Sequence, residues 1–510
     1  MQPLQEKNYD SEFCGSIPLH LINLIQPHGI LLILDKNTFT IVQVSENIEG
    51  VLNIPVKKII GQPLSAFIDE SVMEALRSKT DKWDIKDRVS INVELKAGEQ
   101  QKMFSATLYV KDGYVMMELE ENTAATAMQS FIHIYQEVKY IMAVLKEAGN
   151  TQEIGKIATA EIKKLSGFDR VMLYQFDKDW NGIVIGEARE PDMEPYLNLR
   201  FPASDIPKQS RDLYFKNPYR VIPNRDFTPA RLVPVVNPMT KTFTDLSESI
   251  LRSVPSVHVE YLRNMQVMAS MSTAIIIHNK LWGLISCHHK TPLYPGYEMR
   301  SAFELLANII SVQLTAKESE KELSYRSQLN MLNGKLIELM YASKDFIKGL
   351  MVKTPTLMNL FAATGVSIYY EGEMHVIGNT PKTEQIRELI KWLQIQKIDK
   401  VFATDSLPRS FSKSQEYAGV GSGIIALPIS YRKGEYVIGF RPEVIQTVDW
   451  GGNPNERIQF EPDGKTYHPR NSFAAWKETV KHTSLPWSAQ EIEAAESLRT
   501  AILERILSDR

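Results

Sequence analysis

Two cysteines in 510 residues, Cys14 and Cys287, with no CxxC pair, leave this chain without a disulfide framework or a thiolate zinc site. Long apolar runs are missing as well. Stretches such as Ile30 to Leu34 and Ala274 to Ile277 fall far short of the roughly 20 residues needed to cross a bilayer. The start, MQPLQEKNYD, has no apolar signal core. Nor is there an excess of either charge: 58 Lys plus Arg face 61 Asp plus Glu, a formal net charge of -3, so no basic field gathers nucleic acid. These absences predict a cytoplasmic protein with neither membrane nor nucleic-acid partners.

What is present is length and pattern. At roughly 100 to 200 residues per domain, the chain predicts about three domains, each able to bury its own core. The first reads as strands over Gly29 to Leu34 and Thr40 to Val44, a helical stretch from Pro63 to Arg77, and further strands over Ser90 to Leu95 and Phe104 to Leu119. The polar stretch Glu120 to Ala127 marks a boundary before a helix in which Phe131, Ile134, Val138, Ile141 and Leu145 recur at spacings of three or four.

The second unit shows strands at Arg170 to Phe176, Gly182 to Ala188, Ser270 to Ile277 and Leu281 to His288. Between them a proline-punctuated stretch, Pro191 to Pro238, is too long for a simple connector. From Arg300 to Tyr341 no proline and only Gly334 interrupts an apolar pattern, which predicts one very long helix. A third α/β unit has strands at Ser367 to Tyr370, Gly423 to Ser430 and Glu435 to Arg441, then a Gly-, Pro- and aromatic-rich stretch to Phe473 and a terminal helix, Ser488 to Ser508. The expected fold is α+β and multidomain, modules strung on helices, an arrangement suited to passing signals rather than turning over substrate.

Taken singly, few residues decide anything. Cys14 lies in a polar N-terminal segment and is as easily an incidental surface cysteine as a reactive thiol. Asp205, between Pro202 and Pro207, fits a rigid loop with a solvent-facing carboxylate. Cys287, in an apolar strand beside Trp282, Leu284 and Ile285, reads as a core residue.

Together the motifs say more. Phe201-Pro-Ala-Ser-Asp-Ile-Pro207 resembles the PASDIP signature of phytochrome GAF domains, and Pro469-Arg-Asn-Ser-Phe473 resembles the PRxSF motif of the PHY tongue. Phe440-Arg-Pro-Glu443 and Trp450-Gly-Gly452 are similar to two other tongue segments, although Gly439 stands where the family has tryptophan. Cys14 followed by Ile25-Gln-Pro-His-Gly29 resembles the attachment region of bacteriophytochromes.

The resemblance spans nearly the whole chain. It implies an N-terminal segment (1-20) carrying the attachment cysteine, a PAS domain (21-122), a GAF domain (128-316), a connecting helix (300-344) and a PHY domain (325-508). It also implies antiparallel sheets flanked by helices, a tongue hairpin at about 438-482, and an N-terminal knot.

By the same resemblance the chain is a red/far-red photoreceptor holding biliverdin IXα through a thioether to Cys14. Val257, where other phytochromes place their cysteine, favours that assignment, while Pro255-Ser256 departs from the usual Ser-Pro order. The implied pigment contacts are Asp205, Ile206, His258 and His288. Arg220, Arg252, Tyr214, Ser270 and Ser272 would serve the propionates, and Tyr174, Phe201 and Tyr261 would line the rotating ring.

The implied switch joins Asp205 to Arg470, with Ser472 and Trp450 beside it, a pairing suited to a planar guanidinium and a carboxylate. Implied partners are a second copy of the chain, an output histidine kinase or other module, and a response regulator. Ile492, Ala495, Leu498, Ile502 and Ile506 on the terminal helix make a stripe suited to dimer pairing. No kinase motif occurs, so no catalysis is expected, and photoconversion is expected rather than strong fluorescence.

Two other readings compete. A Cys/His/Asp hydrolase would need Cys14, His258 and Asp205 in a nucleophile signature, and they stand in none. A nucleotide-sensing GAF protein would use Gly419, Gly421 and Gly423 as a phosphate loop, but no P-loop lysine follows, and the run Ile424 to Leu427 suits a turn entering a strand.

Overall fold

The computed structural model of the chain describes residues 18-81, 88-97, 100-111, 113-122, 131-352, 357-453, 458-460, 467-469 and 472-508. Cys14, Arg470, Asn471 and two short parts of the stretch assigned to the tongue, 454-457 and 461-466, lie outside these described residues. The chain divides into two units: 1-317 with 449-476, and 318-448 with 477-510.

Two large sheets lie mainly in the first unit. Strands β1 (Leu24–Ile25), β2 (Gly29–Asp35), β3 (Ile41–Ser45), β4 (Val89–Ala97), β5 (Gln100–Val110) and β6 (Tyr114–Glu121) are joined by β11 (Ala230–Val233) in the order β1-β11-β3-β2-β6-β5-β4. Period-two alternation sends Ile30, Leu32, Leu34, Val115, Met117 and Leu119 into a core of their own. Leu31, Ile33, Tyr114 and Met116 face a different core, shared with the residues that follow. This sheet is therefore covered on both faces, which is why β2 is almost continuously apolar.

That second face takes in polar residues as well. Glu120 belongs to β6 and is buried on it, so the connector begins later than the polar composition suggested. The helical stretch expected from Pro63 is also shorter. Helix α1 starts at Glu70 (Glu70–Asp81), preceded by one 3-10 turn at Leu64–Ala66.

The shared core is built by helix α2 (Phe131–Lys146), through Ile134, Val138, Ile141 and Leu145, and by α3 (Thr151–Ser166), through Ile154, Ala158 and Ile162. Helix α3 is bounded by strong local signals. The Asn150 side chain accepts from the Glu153 N–H at 2.9 Å, and Gly167 closes the helix at φ 74°. It packs backbone to backbone on a second sheet, since a Cβ on Gly186 would lie 2.5 Å from the Gly155 carbonyl group. Gly186→Ala is expected to cost about 1–3 kcal/mol through that overlap. Gly334→Ala, in open space on the long helix, is expected to gain about 1 kcal/mol. Urea denaturation of the two variants checks the contrast.

The second sheet runs β10 (Tyr219–Ile222), β12 (Ala269–Ile277), β13 (Lys280–His289), β7 (Arg170–Phe176), β8 (Gly182–Arg189), β9 (Arg200–Phe201), β19 (Gln446–Gly451) and β22 (Ala475–Val480). Strands β20 (Ile458–Phe460) and β21 (Tyr467–Pro469) form a small antiparallel pair.

The N-terminal stretch is stitched at several points to chain some 200 residues later. The Asn23 amide donates to the Leu232 carbonyl (2.8 Å), the Gln26 N–H to Leu251 (2.7 Å), and the Ser253 N–H to Leu24 (3.1 Å).

In the second unit, strands β14 (Gly365–Tyr370), β15 (Glu373–Gly378), β16 (Phe402–Thr404), β17 (Gly423–Ser430) and β18 (Glu435–Arg441) form a sheet in the order β15-β14-β18-β17-β16. Ile425, Leu427 and Val437 face one core, while Ile424, Ala426, Tyr436 and Ile438 face the other. Gly419 and Gly421 sit in a single helical turn before β17 opens at Gly423.

The long helix, α4 in this text, runs Tyr297–Ala342, 46 residues, or about 70 Å at 1.5 Å per residue. The terminal helix, α5 (Ala489–Ser508), packs inward: Ala495, Leu498 and Ile502 share a core with Leu329, Leu336 and Met340. The stripe expected to pair two copies is thus consumed within the unit. Among the described residues no helix is long and apolar enough to cross a membrane.

Candidate functional site

The site lies in the first unit, on the face of the second sheet opposite the shared core. Alternation decides which side chains reach it. On β7, Met172 and Tyr174 face the cavity while Val171 and Leu173 face the core; on β13, Leu284, Ser286 and His288 face the cavity while Ile285 and Cys287 do not. Cys287 is fully buried, with burial pushing its thiol far up, as expected of a core cysteine.

Register then aligns the polar wall. Arg220 pairs with Ser272, which pairs with Ser286; Ile222 pairs with Ser270, which pairs with His288. These pairings place a guanidinium, three serines and an imidazole on alternate rungs, and so on one face of the sheet.

The remaining wall comes from loops and one short helix, Ser256–Asn264, which carries His258 and Tyr261. Their rings stack at 5.9 Å with an interplanar angle of 10°. Pro202 and Pro207 confine the intervening residues to one 3-10 turn, Ala203–Asp205. The Tyr261 hydroxyl donates to the Asp205 carboxylate at 2.9 Å, so this carboxylate is engaged rather than simply facing solvent. The Tyr214 and Ser272 hydroxyls share a hydrogen bond of 2.7 Å.

All twelve residues expected to contact a pigment line this one cavity: Tyr174, Phe201, Asp205, Ile206, Tyr214, Arg220, Arg252, His258, Tyr261, Ser270, Ser272 and His288. Pro469, from the stretch assigned to the tongue, also lines it, and Phe473 meets Tyr261 edge-on at 5.0 Å. Trp450 is buried and pairs with Arg200 in a parallel bridge between β19 and β9, whereas Ser472 is exposed.

Sequence reading missed Met172, Val184, Tyr196, Leu284 and Ser286, which also line the cavity. It also missed Gly182, where a Cβ would lie 1.6 Å from the Tyr174 ring. Glycine there lets the ring lie across the neighbouring strand; it is the first residue of β8, where a glycine reads as an ordinary turn, so no local signal marks it.

The electrostatics are unusual. Arg252 is buried and Arg220 half-buried, and among the described residues no carboxylate forms an ion pair with either. Arg220 instead donates to the carbonyls of Ile250 (3.4 Å), Arg252 (2.5 Å) and Ser253 (2.9 Å); Arg252 donates to those of Ser247 (3.2 Å) and Leu246 (3.4 Å). Burial, and then the charge of Arg252, push Arg220 well below its ordinary value; burial pushes Arg252 down to about 10.

Burial and Arg220 lower His258 to about 4, while burial, Arg170 and His258 lower His288 to about 3, so both imidazoles are neutral at pH 7. The His288 Nδ1 and Ser204 Oγ atoms are buried with no hydrogen-bond partner among the described residues. Two cations withdrawn from solvent without a direct ion pair, beside hydroxyls and an imidazole nitrogen, suit a ligand with acidic groups at one end and an aromatic or conjugated body.

Comparison with known proteins agrees on the class. The Phytochrome region family matches residues 329-510, the PAS fold family 14-122 and the GAF domain family 150-314. Cyanobacterial phytochrome B of Nostoc sp. is 38% identical over 98% of this chain and 66% of its own length. The bacteriophytochrome of Xanthomonas campestris pv. campestris is 30% identical over 97% of this chain and 78% of its own length.

Among solved structures, a bacteriophytochrome from the photosynthetic bacterium R. palustris has a TM-score of 0.86 at 33% identity, covering 97% of this chain and 99% of that one. The photosensory core module of Stigmatella aurantiaca phytochrome has a TM-score of 0.82 at 37% identity, covering 96% and 97%. The chain spans 66% of the length of the first curated relatives it matches.

Proposed function

The chain belongs to the phytochrome family, and on that premise we propose that it is a red/far-red photoreceptor whose pigment is biliverdin IXα, joined by a thioether to Cys14. The observation that carries this reading is the pair Arg220 and Arg252, largely withdrawn from solvent in one cavity with no carboxylate among the described residues in an ion pair with either. Such cations are costly unless an anionic partner is bound, and a linear tetrapyrrole offers two propionates. The orphaned His288 Nδ1 and the Tyr214–Ser272 hydroxyl pair suit its remaining polar edges.

When bound, the bilin supplies light absorption and isomerisation about one methine bridge. The protein supplies selectivity. Arg220, Arg252, Ser270 and Ser272 hold the acidic end, so motion is confined to the other. Tyr174, Phe201 and Tyr261 form a close aromatic wall there, with Tyr174 and Phe201 centroids 6.1 Å apart. His258 and His288, both neutral, can each donate from one ring nitrogen and accept at the other.

Asp205 and Ile206, in the proline-bounded turn, face the pigment, and Asp205 also forms the switch with Arg470, with Ser472 and Trp450 beside it. Rearrangement of that contact alters the tongue, and the long helix carries the change to the output, a histidine kinase or other module acting on a response regulator. We place the protein in the cytoplasm as a homodimer; Val312, 64% exposed on the long helix, offers pairing surface in place of the inward-facing terminal stripe. The matched regions are sensory units, and we assign no catalysis to them.

A denaturing gel of biliverdin-treated protein, read by zinc fluorescence, tests the attachment. The wild-type band is expected to fluoresce and the Cys14→Ala band to be dark. Equal fluorescence of both bands would place the attachment elsewhere.

A further inference from the structure

Strand β6 carries a buried acidic residue that the pigment reading leaves unused. Glu118 is fully buried. Its carboxylate accepts from the Ser249 hydroxyl, from the Leu251 N–H (3.3 Å) and Ile250 N–H (3.4 Å), and from the Tyr109 hydroxyl (2.8 Å). Burial raises its carboxyl above the ordinary value, opposed by the hydrogen bonds from Ser249 and Tyr109.

The stretch that Glu118 holds is the one that organises the two arginines. Arg252 lies in it, with its N–H donating to Ser249 Oγ at 3.1 Å. The carbonyls of Ile250, Arg252 and Ser253 are those that accept from Arg220. Gln26, also buried, ties the same stretch a second time. Its N–H donates to the Leu251 carbonyl at 2.7 Å, and its amide donates to Val221 at 3.0 Å and Arg252 at 3.4 Å.

Four donors converge on Glu118, and a carboxylate has acceptor sites for all four where an amide oxygen has two. Both Arg220 and Arg252 also feel its charge.

We propose that Glu118 is a positioning residue of the pigment site: by gathering Ser249, Ile250 and Leu251 it sets the 249-253 turn, and through it the spacing of Arg220 and Arg252 that receives two propionates. The first domain thereby shapes the acid-binding end of a cavity to which it lends no charged side chain. Pre-set donors lower the ordering cost of binding. The inference rests on the reading of the cavity as a bilin site.

The test compares loading of biliverdin and of its dimethyl ester, which lacks free propionates, by the rise of the red absorption band. Wild type, Glu118→Ala and Ser249→Ala are compared, with thermal denaturation of each apoprotein to establish folding. Wild type is expected to load the free acid at least about tenfold faster than the ester, as one to two charge-assisted hydrogen bonds would give.

Both variants are expected to bring that ratio toward unity by slowing the free acid, with the ester little changed. A wild-type ratio in folded Glu118→Ala, or in Ser249→Ala if Glu118→Ala does not fold, overturns the inference. Equal loading of the two compounds by wild type overturns the propionate reading itself, and the inference with it.

Discussion

Glu120→Ala is expected to lower the free energy of unfolding by about 3–5 kcal/mol, the range for removing one partner of a buried ion pair. Glu120 and Arg300 meet in two-pronged fashion, Nη1 to Oε2 at 2.9 Å and Nη2 to Oε1 at 2.5 Å, with their side chains 6% and 1% exposed. Tyr294 donates to the same carboxylate. Burial alone would push the Glu120 carboxyl up, but Arg300, His28 and these hydrogen bonds together hold it below its ordinary value.

Removing the carboxylate strands a guanidinium whose remaining hydrogen-bond partners among the described residues are neutral: the Pro295 carbonyl, at 2.9 Å, and the Tyr219 and Tyr294 hydroxyls. The pair ties β6 to the start of the long helix, so the loss should appear in the main unfolding transition. Glu120→Leu with Arg300→Met is expected to recover most of it, because the uncompensated charge is then gone. Urea denaturation measures both; a loss under about 1 kcal/mol in Glu120→Ala would mean the pair is far better solvated than its burial indicates.

Acid is expected to destabilise the apoprotein steeply. Burial lowers His28 and His258 from 6.5 to about 4 and His288 from 6.5 to about 3. Arg300 and Arg220 add to the lowering at His28, where Glu120 opposes it; Arg220 adds to it at His258, and Arg170 and His258 add to it at His288.

Between those values the unfolded chain binds three protons that the folded chain refuses. Stability is therefore fully present above pH 6.5 and is lost as pH falls toward the folded values. At 1.36 kcal/mol per proton per pH unit, the slope near pH 5 approaches about 4 kcal/mol per unit from these three groups. The Glu120 contribution falls in the same direction at lower pH, as its carboxyl takes up a proton. Urea midpoints between pH 7.5 and 5 check the slope, and each His→Asn replacement should remove about a third of it. A flat profile over that range would show that the three imidazoles are not held neutral by the fold.

Where a segment's own pattern determines its structure, the sequence was legible. The long helix reads from Leu305, Ile309 and Val312 onward, and β17 and β18 match their apolar runs end to end. Helix α3 was readable and was passed over: Asn150, Ile154, Ala158, Ile162 and Gly167 carry its cap, its stripe and its stop.

Other features depend on distant chain. Strand β11 is four residues inside a proline-rich stretch, and it is a strand because it pairs with β1 and β3, more than 180 positions earlier. Glu118 and Glu120 alternate with apolar residues as a solvent-facing row would, and only the second core covering that face buries them. The terminal stripe had the right spacing for pairing, but nothing local says that Leu329, Leu336 and Met340 would fill it.

The site divides in the same way. Its members were found because the motifs resemble a family, not because Arg220 or His288 is distinctive alone. What gathers them physically is strand register: Arg220 opposite Ser272, and Ser270 opposite His288. No local signal marks Glu118 as an organiser of the arginines, since the 249-253 turn it holds lies some 130 residues away.

The central claim, that this cavity holds a photoconvertible bilin, is tested most directly by the absorption spectrum of the purified chain mixed with biliverdin, taken before and after red light and again after far-red light. A red band that converts to a far-red band and returns is the expected result. Failure to take up the pigment, or a bound pigment whose spectrum light does not change, would contradict it.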